Sequence, residues 1–168
     1  MYIGDLGTRD PWWEQLQGTT DLDRWLRTHV SPRLLPASER ELAQARRLRT
    51  ILSKLAMALP RDEPIAAQDF RNLVQEASRP DVPPELPRHP TRDAPARYAL
   101  STIARDAVTL LCDHPERLKV CGADDCPLVF LDATRASTRE WCSMARCGTR
   151  AKARRFTRNQ QNKQEELT

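Results

Sequence analysis

Cys121, Cys126, Cys142 and Cys147 are the residues of this chain whose type and spacing best suit chemistry. They form two C-x4-C pairs, with fifteen residues between Cys126 and Cys142. Zn²⁺ takes four ligands in a tetrahedron, and thiolates are its favoured soft donors. Two cysteines a few residues apart on a tight turn can aim both sulfurs at one ion. Gly122 and the Asp124-Asp125 pair supply turn chemistry inside the first loop. Leu118–Val120 and Leu128–Leu131 flank that turn as short β runs, so the first half reads as a hairpin knuckle. The second pair needs another geometry. Residues five apart on an ideal α-helix lie about 140° apart around its axis. Either Cys142 precedes a helix or the backbone breaks at Gly148, with Thr149 capping a helix from Arg150 to about Arg158. The expected site is one structural zinc ion held by all four cysteines. Four unligated cysteines are the weaker alternative, because a segment of about 40 residues with few large apolar groups rarely folds without a staple.

A disulfide framework suits the chain poorly, since the fifth cysteine, Cys112, leaves an odd number. Cys112 ends an apolar helix face and is expected as a small buried hydrophobe. His29, His89 and His114 are scattered and are not needed as ligands. A zinc ion saturated by four cysteines has no open position at which to activate water, and no acid–base constellation occurs elsewhere. The expectation is therefore not an enzyme.

The elements that position these cysteines are mainly helical. Among 168 residues, 39% are hydrophobic and 30% charged, with only five glycines. Abundant Ala, Leu and Arg favour helices over sheets. Leu22, Trp25 and Leu26 recur at i, i+3, i+4 in a short amphipathic helix that Asp21 helps start. Ser38 with Glu41 fits a capping box. Leu42, Ala45, Leu48, Ile51 or Leu52, and Leu55 then mark one apolar stripe up to Pro60, with Arg46, Arg47 and Arg49 largely off it. A further helix is expected over Ala67 to Ala77 with Phe70, Leu73 and Val74 facing inward. Six prolines from Arg79 to Pro95 inclusive exclude regular helix there and leave an extended connection with room for a short strand or two. Helix resumes from Ala96 to about Cys112. The expected organisation is a helical domain over 1–116, a zinc module over 117–158, and a polar, disordered tail over 159–168. No stretch approaches the ~18–20 apolar residues that span a membrane, and the first residues lack signal-peptide character. Those features, with the cysteine usage, suit the cytoplasm.

The net charge of +4 is unevenly placed. Arg117 to Arg158 holds ten basic and four acidic residues, a local +6 that leaves −2 for the remainder. Four thiolates with Zn²⁺ bring the module to about +4. Arg150, Arg154 and Arg158 lie at i, i+4, i+8 on the last helix, with Lys152, Arg155 and Arg146 nearby and Arg139 just before Trp141 and Cys142. Such a helix can meet a phosphate backbone or enter a major groove. A solvated helix face with cations at its C-terminus is the alternative. Trp12, Trp13, Trp25 and Trp141 are assigned to packing, Trp141 over the knuckle against Phe130. Asp132 is expected to pair with an arginine and fix its loop.

The run from Cys121 to Phe156 carries Phe130-Leu131-Asp132, Arg139-Glu140-Trp141-Cys142-Ser143-Met144 and Cys147-Gly148-Thr149-Arg150-Ala151-Lys152-Ala153-Arg154-Arg155. It resembles the CGNR zinc-finger family. The helical region before it resembles the ABATE domain that commonly precedes this finger. Two departures stand out. Thr149 replaces the Asn of the naming motif, and Met1 to Arg9 lacks the apolar segment ending in Asn-Thr with which the family usually opens. The resemblance implies a four-cysteine zinc site and a bacterial, stress-induced, DNA-binding transcription regulator.

The expected fold is thus a helical N-terminal domain plus a small, treble-clef-like four-cysteine module with a short β-hairpin and a basic helix. The expected function is a transcription regulator contacting double-stranded DNA through Arg139, Arg146, Arg150, Lys152, Arg154, Arg155 and Arg158. The helical domain would bind a small-molecule effector or form a homodimer. The alternative is an adaptor whose zinc module docks an acidic protein partner.

Overall fold

The computed structural model describes residues 14–84, 92–126 and 128–165. Trp12, Trp13, His89 and the Met1–Arg9 departure lie outside the described residues. The chain divides into two compact units, Met1–Pro115 and Glu116–Thr168.

Among the described residues the first unit holds four helices, α1 (Thr19–His29), α2 (Glu39–Ala58), α3 (Ala67–Ala77) and α4 (Ala96–Asp113). In α1 the Asp21 carboxylate accepts the Gly18 N–H at 3.0 Å, so an acid in the first turn satisfies a donor just before it. Leu22 and Leu26 are buried, with Trp25 partly so. After α1 the Arg27 guanidinium donates to the Pro32 carbonyl at 3.1 Å and to that of Leu34, folding the proline-marked connection back on the helix. The capping box of α2 forms as expected. Ser38 Oγ accepts from the Glu41 N–H at 3.3 Å, and Glu41 Oε2 accepts from the Ser38 N–H at 2.8 Å. The other Glu41 oxygen accepts the Arg97 N–H at 3.0 Å, so one carboxylate serves the first turns of both α2 and α4. Helix α2 ends at Ala58, and a single tight turn follows over Leu59–Arg61.

Leu22, Leu26, Leu34, Leu55, Leu73 and Leu100 form the centre of the core. Helix α4 presents Ala96, Ala99, Leu100, Ser101 and Ala104 to it. These mostly small residues bring helix backbones close, and Ser101 Oγ donates to the Glu76 carbonyl of α3 at 3.1 Å. Arg105 closes the far end of α3, donating to the carbonyls of Ala77 at 2.7 Å and Arg79 at 2.8 Å.

Three expectations need correction here. Phe70 and Val74 do not face inward: they are 41% and 53% exposed. The inner face of α3 is taken by Leu73 and by Glu76, whose buried carboxylate is bonded by Gln44 at 2.6 Å and Arg79 at 3.1 Å. A satisfied acid replaces the apolar residue that periodicity favours. Arg46 and Arg49 turn inward enough to be useful. Arg46 donates to the Leu16 carbonyl at 2.6 Å, and Arg49 forks onto both Glu14 oxygens at 2.6 and 2.7 Å. Cys112 is exposed, because the buried face of α4 ends before it. In the proline-rich connection the described residues hold one isolated parallel bridge, Leu34 with Ala94, in which the Leu35 N–H donates to the Ala94 carbonyl at 2.8 Å.

The second unit starts with an antiparallel hairpin, β1 (Leu118–Val120) and β2 (Val129–Leu131), in the register Leu118–Leu131, Lys119–Phe130, Val120–Val129. It ends in α5 (Thr149–Glu165). Helix thus continues past Arg158 into the segment expected to be a disordered tail, since Gln, Lys and Glu propagate a nucleated helix without needing an apolar face. Hairpin, linking loop, then helix is the treble-clef-like order, and the molecule is mainly α. No helix among the described residues is long and apolar enough to cross a membrane.

Candidate metal centre

Each cysteine is placed by its own local device. Cys121 follows β1, where its N–H donates to the Leu128 carbonyl at 2.8 Å. A tight turn returns the chain to Cys126, whose N–H donates to the Ala123 carbonyl at 2.9 Å. Gly122 passes close under the second half of the site: its N–H donates to the Glu140 carbonyl at 2.8 Å, and a Cβ there would lie 3.3 Å from that oxygen.

Of the two geometries open to the second pair, Cys142 precedes the helix. Ser143, directly after it, is extended and accepts the Arg146 N–H on its hydroxyl at 3.3 Å. The turn Met144–Gly148 is wide: the Ser143 carbonyl receives both the Cys147 N–H at 2.9 Å and the Gly148 N–H at 3.0 Å. Cys147 therefore sits inside the opening turn that leads into α5. Thr149 does not cap. Its backbone is already helical, and its hydroxyl donates back to the Met144 carbonyl at 3.1 Å. The cap fell one turn earlier because Ser143 reaches the orphan N–H groups first.

The four Sγ atoms lie within 4.8 Å of one another, with Cys126–Cys142 at 3.7 Å and Cys142–Cys147 at 3.6 Å. A tetrahedron with Zn–S bonds of about 2.3 Å has sulfur–sulfur edges of about 3.8 Å, so the donor set fits one structural Zn²⁺. Cys121 and Cys147 are buried, Cys126 and Cys142 half-buried. Burial and the crowding of Cys147 and Cys121 push the Cys142 thiol far above its ordinary value, and burial raises Cys126 as well. Burial also opposes the Cys121 thiolate, but the N–H groups of Cys142 and Ala123 outweigh it, and its thiol is lowered. Four sulfurs this close resist ionising together; a divalent cation among them removes that penalty. The Cys142 N–H points at Cys121 Sγ at 3.4 Å and the Arg150 guanidinium at Cys147 Sγ at 3.7 Å, both supports for thiolate charge.

The loop between the two halves hangs on Asp132, which is fully buried. Its partner is Lys119, not the arginine expected: Nζ lies 2.8 Å from Oδ2. The same carboxylate accepts the Thr134 hydroxyl at 2.6 Å and the N–H groups of Thr134 at 3.0 Å and Arg139 at 2.8 Å. The lysine, then the threonine, then the backbone donors hold its pKa far below the usual carboxylate range against the opposing effect of burial. Trp141 packs with Cys121, Ala123 and Cys147. The ring of Phe130 is covered instead by the Arg139 guanidinium at 5.0 Å.

The seven basic residues expected to contact DNA fall into three settings. Arg139 is committed to its own loop, donating to the carbonyls of Trp141 at 3.2 Å and Cys142 at 2.6 Å. Arg150, Lys152, Arg154, Arg155 and Arg158 instead share one groove of about 500 Å³ with Gly122–Asp125, Glu140 and Trp141. Arg146 is exposed on the turn before α5 and does not line this groove. Sequence reasoning missed Asp125 as a partner: its two oxygens meet Arg150 at 3.1 Å and Arg154 at 3.0 Å. The signal is the Asp124-Asp125 pair itself, since a turn needs only one such acid and leaves the other to pair. Ser143 was missed too, although a serine just before a helical run is a cap signal.

Comparison with protein families gives two matches. The CGNR zinc finger matches residues 117–160, which include all four cysteines. The ABATE family, described as "Putative stress-induced transcription regulator", matches residues 6–114. No curated protein matches the chain. The zinc-fitting geometry lies inside one match and the four-helix unit inside the other, which by itself spans more than half of the sequence; the chain belongs to the ABATE family and carries a CGNR zinc finger.

Proposed function

We propose that the protein is a DNA-binding transcription regulator that works in the bacterial cytoplasm. Its helical domain over 1–116 binds an effector or dimerises, and its zinc module over 117–158 contacts double-stranded DNA. The observation that carries this reading is the groove along α5. Arg150, Lys152, Arg154, Arg155 and Arg158 gather there on a helix rooted in the zinc centre through Cys147. A rigid helix lined with guanidinium groups neutralises several phosphates at once, which releases counterions and supplies affinity. Arg146 extends the cationic surface, whereas Arg139 serves by holding the Cys142 loop. With about five phosphate contacts, log affinity would fall against log salt with a slope of about −4 to −5.

The test is selection of sheared genomic DNA by the purified zinc-loaded protein at low and near-physiological salt. Discrete promoter fragments that survive the higher salt are expected, and changing Arg150, Arg154 and Arg155 together to Ala should abolish their retention. Retention at low salt without enrichment would point away from a regulator. One observation favours a second reading, an adaptor for an acidic protein: the groove already accommodates a carboxylate, that of Asp125, on two of its arginines. Binding of an acidic polypeptide without appreciable affinity for duplex DNA would select that reading.

A further inference from the structure

The pairing of Asp125 with two arginines has a consequence for how α5 meets its partner. Arg150 and Arg154 are one helical turn apart, and both guanidinium groups converge on a single carboxylate, one oxygen each, at 3.1 and 3.0 Å. That is the arrangement in which two arginines grip two non-bridging oxygens of one phosphate. Asp125 is not sealed in. Its side chain is 41% exposed and stands on the knuckle turn, where it lines the groove. Among the described residues, Lys152, Arg155 and Arg158 line the same groove and make no ion pair, so they are ready for an incoming anion while Arg150 and Arg154 are engaged.

From this geometry we infer that Asp125 stands in for a backbone phosphate, and that duplex DNA binds by displacing it from Arg150 and Arg154. The inference rests on the DNA-binding reading of α5. The turn carrying Asp125 is fixed on both sides by the first cysteine pair, so the carboxylate is a tethered competitor held at the groove. It masks two of the five groove cations in the unbound protein. Weak duplexes fail to displace it, and those offering phosphates in the right register succeed. It is therefore a residue that sets affinity and discrimination without itself touching a base.

The experiment compares full-length, zinc-loaded wild type with Asp125→Asn and Asp124→Asn, titrated with a fluorescent 20-base-pair duplex over a series of salt concentrations. Both variants gain the same formal charge. Asp124 lines the groove but makes no ion pair among the described residues, so it reports the general electrostatic gain alone. Asp125→Ser serves if the asparagine variant fails to load zinc. Asp125→Asn is expected to bind about three- to tenfold more tightly than Asp124→Asn, the scale of two exposed ion pairs. Its salt slope should be steeper by up to about one, because no released carboxylate recaptures a cation on binding. Equal gains in the two variants, or weaker binding by Asp125→Asn, would overturn the displacement while leaving DNA binding intact. No binding by any of the three proteins at low salt would overturn both readings together.

Discussion

At the scale of single residues, the second unit depends on two side-chain devices of different kinds. The cysteines supply a donor set that only a cation can render comfortable. Asp132 is the opposite case, a carboxylate kept charged by protein donors: Lys119, Thr134 and the Arg139 N–H. Because its folded pKa lies below the unfolded value of about 3.9, its contribution is complete above that value and fades as pH falls below it. Asp132→Asn lacks that contribution at every pH: an amide nitrogen accepts no hydrogen bond, so whichever oxygen it replaces leaves donors unmatched, Lys119 and the Arg139 N–H at Oδ2 or the Thr134 N–H at Oδ1. The variant should therefore release zinc at a higher pH than wild type in an acid titration followed with a colorimetric zinc dye. Coincident release curves would show that the loop is held by something else. The presence of an anchor at this position was legible from the sequence. The identity of its partner was not, because Lys119 meets Asp132 only through the register of the hairpin.

At the scale of elements, local signals were readable and long-range ones were not. The Ser38–Glu41 box was visible because both partners lie within one turn. The second duty of Glu41, accepting the Arg97 N–H of α4, was invisible because fifty-six positions separate the two. The exposure of Phe70 and Val74 has the same cause, since burial of Glu76 depends on Gln44 in another helix. Glu41→Ala should remove a cap shared by two helices and cost about 1–2 kcal/mol of unfolding free energy at pH 7, measured by urea denaturation. Burial works against the Glu41 carboxylate but is outweighed by Ser38 and the Arg97 N–H, so its folded pKa is lowered; the Arg49 hydrogen bond likewise lowers Glu14. Stability from both is full above the ordinary glutamate value of about 4.3 and is lost as pH falls from there through the lowered folded values. The wild-type helical unit should weaken over that window, and Glu41→Ala should flatten the loss. A difference between variant and wild type that stays constant from pH 7 to 3 would exclude the assigned role.

At the scale of the whole molecule, the two units draw on different sources of stability. The first has a leucine core closed by helix caps and buried polar bonds. The second has a small cluster around its cysteines and two three-residue strands. So small an apolar core does not hold a fold together without its metal. A strong chelator should therefore unfold Glu116–Thr168 while the helical unit persists. The expected readout is loss of Trp141 environment and of the α5 share of far-ultraviolet circular dichroism, with the thermal transition of the first unit retained. Loss of both units together would show that the leucine core does not stand alone.

The wide turn over Met144–Gly148 gives the metal a further office, that of an angular reference. Cys147 lies inside the turn that runs without a break into α5, so the compass bearing of every arginine on that helix is set from the sulfur. One alanine inserted between Gly148 and Arg150 would advance the bearing by about 100° and carry the arginine row away from Asp125; four would turn it by only about 40° while sliding it one turn outward. Rotation and reach of the cationic row are thus separately adjustable by the length of a single short segment.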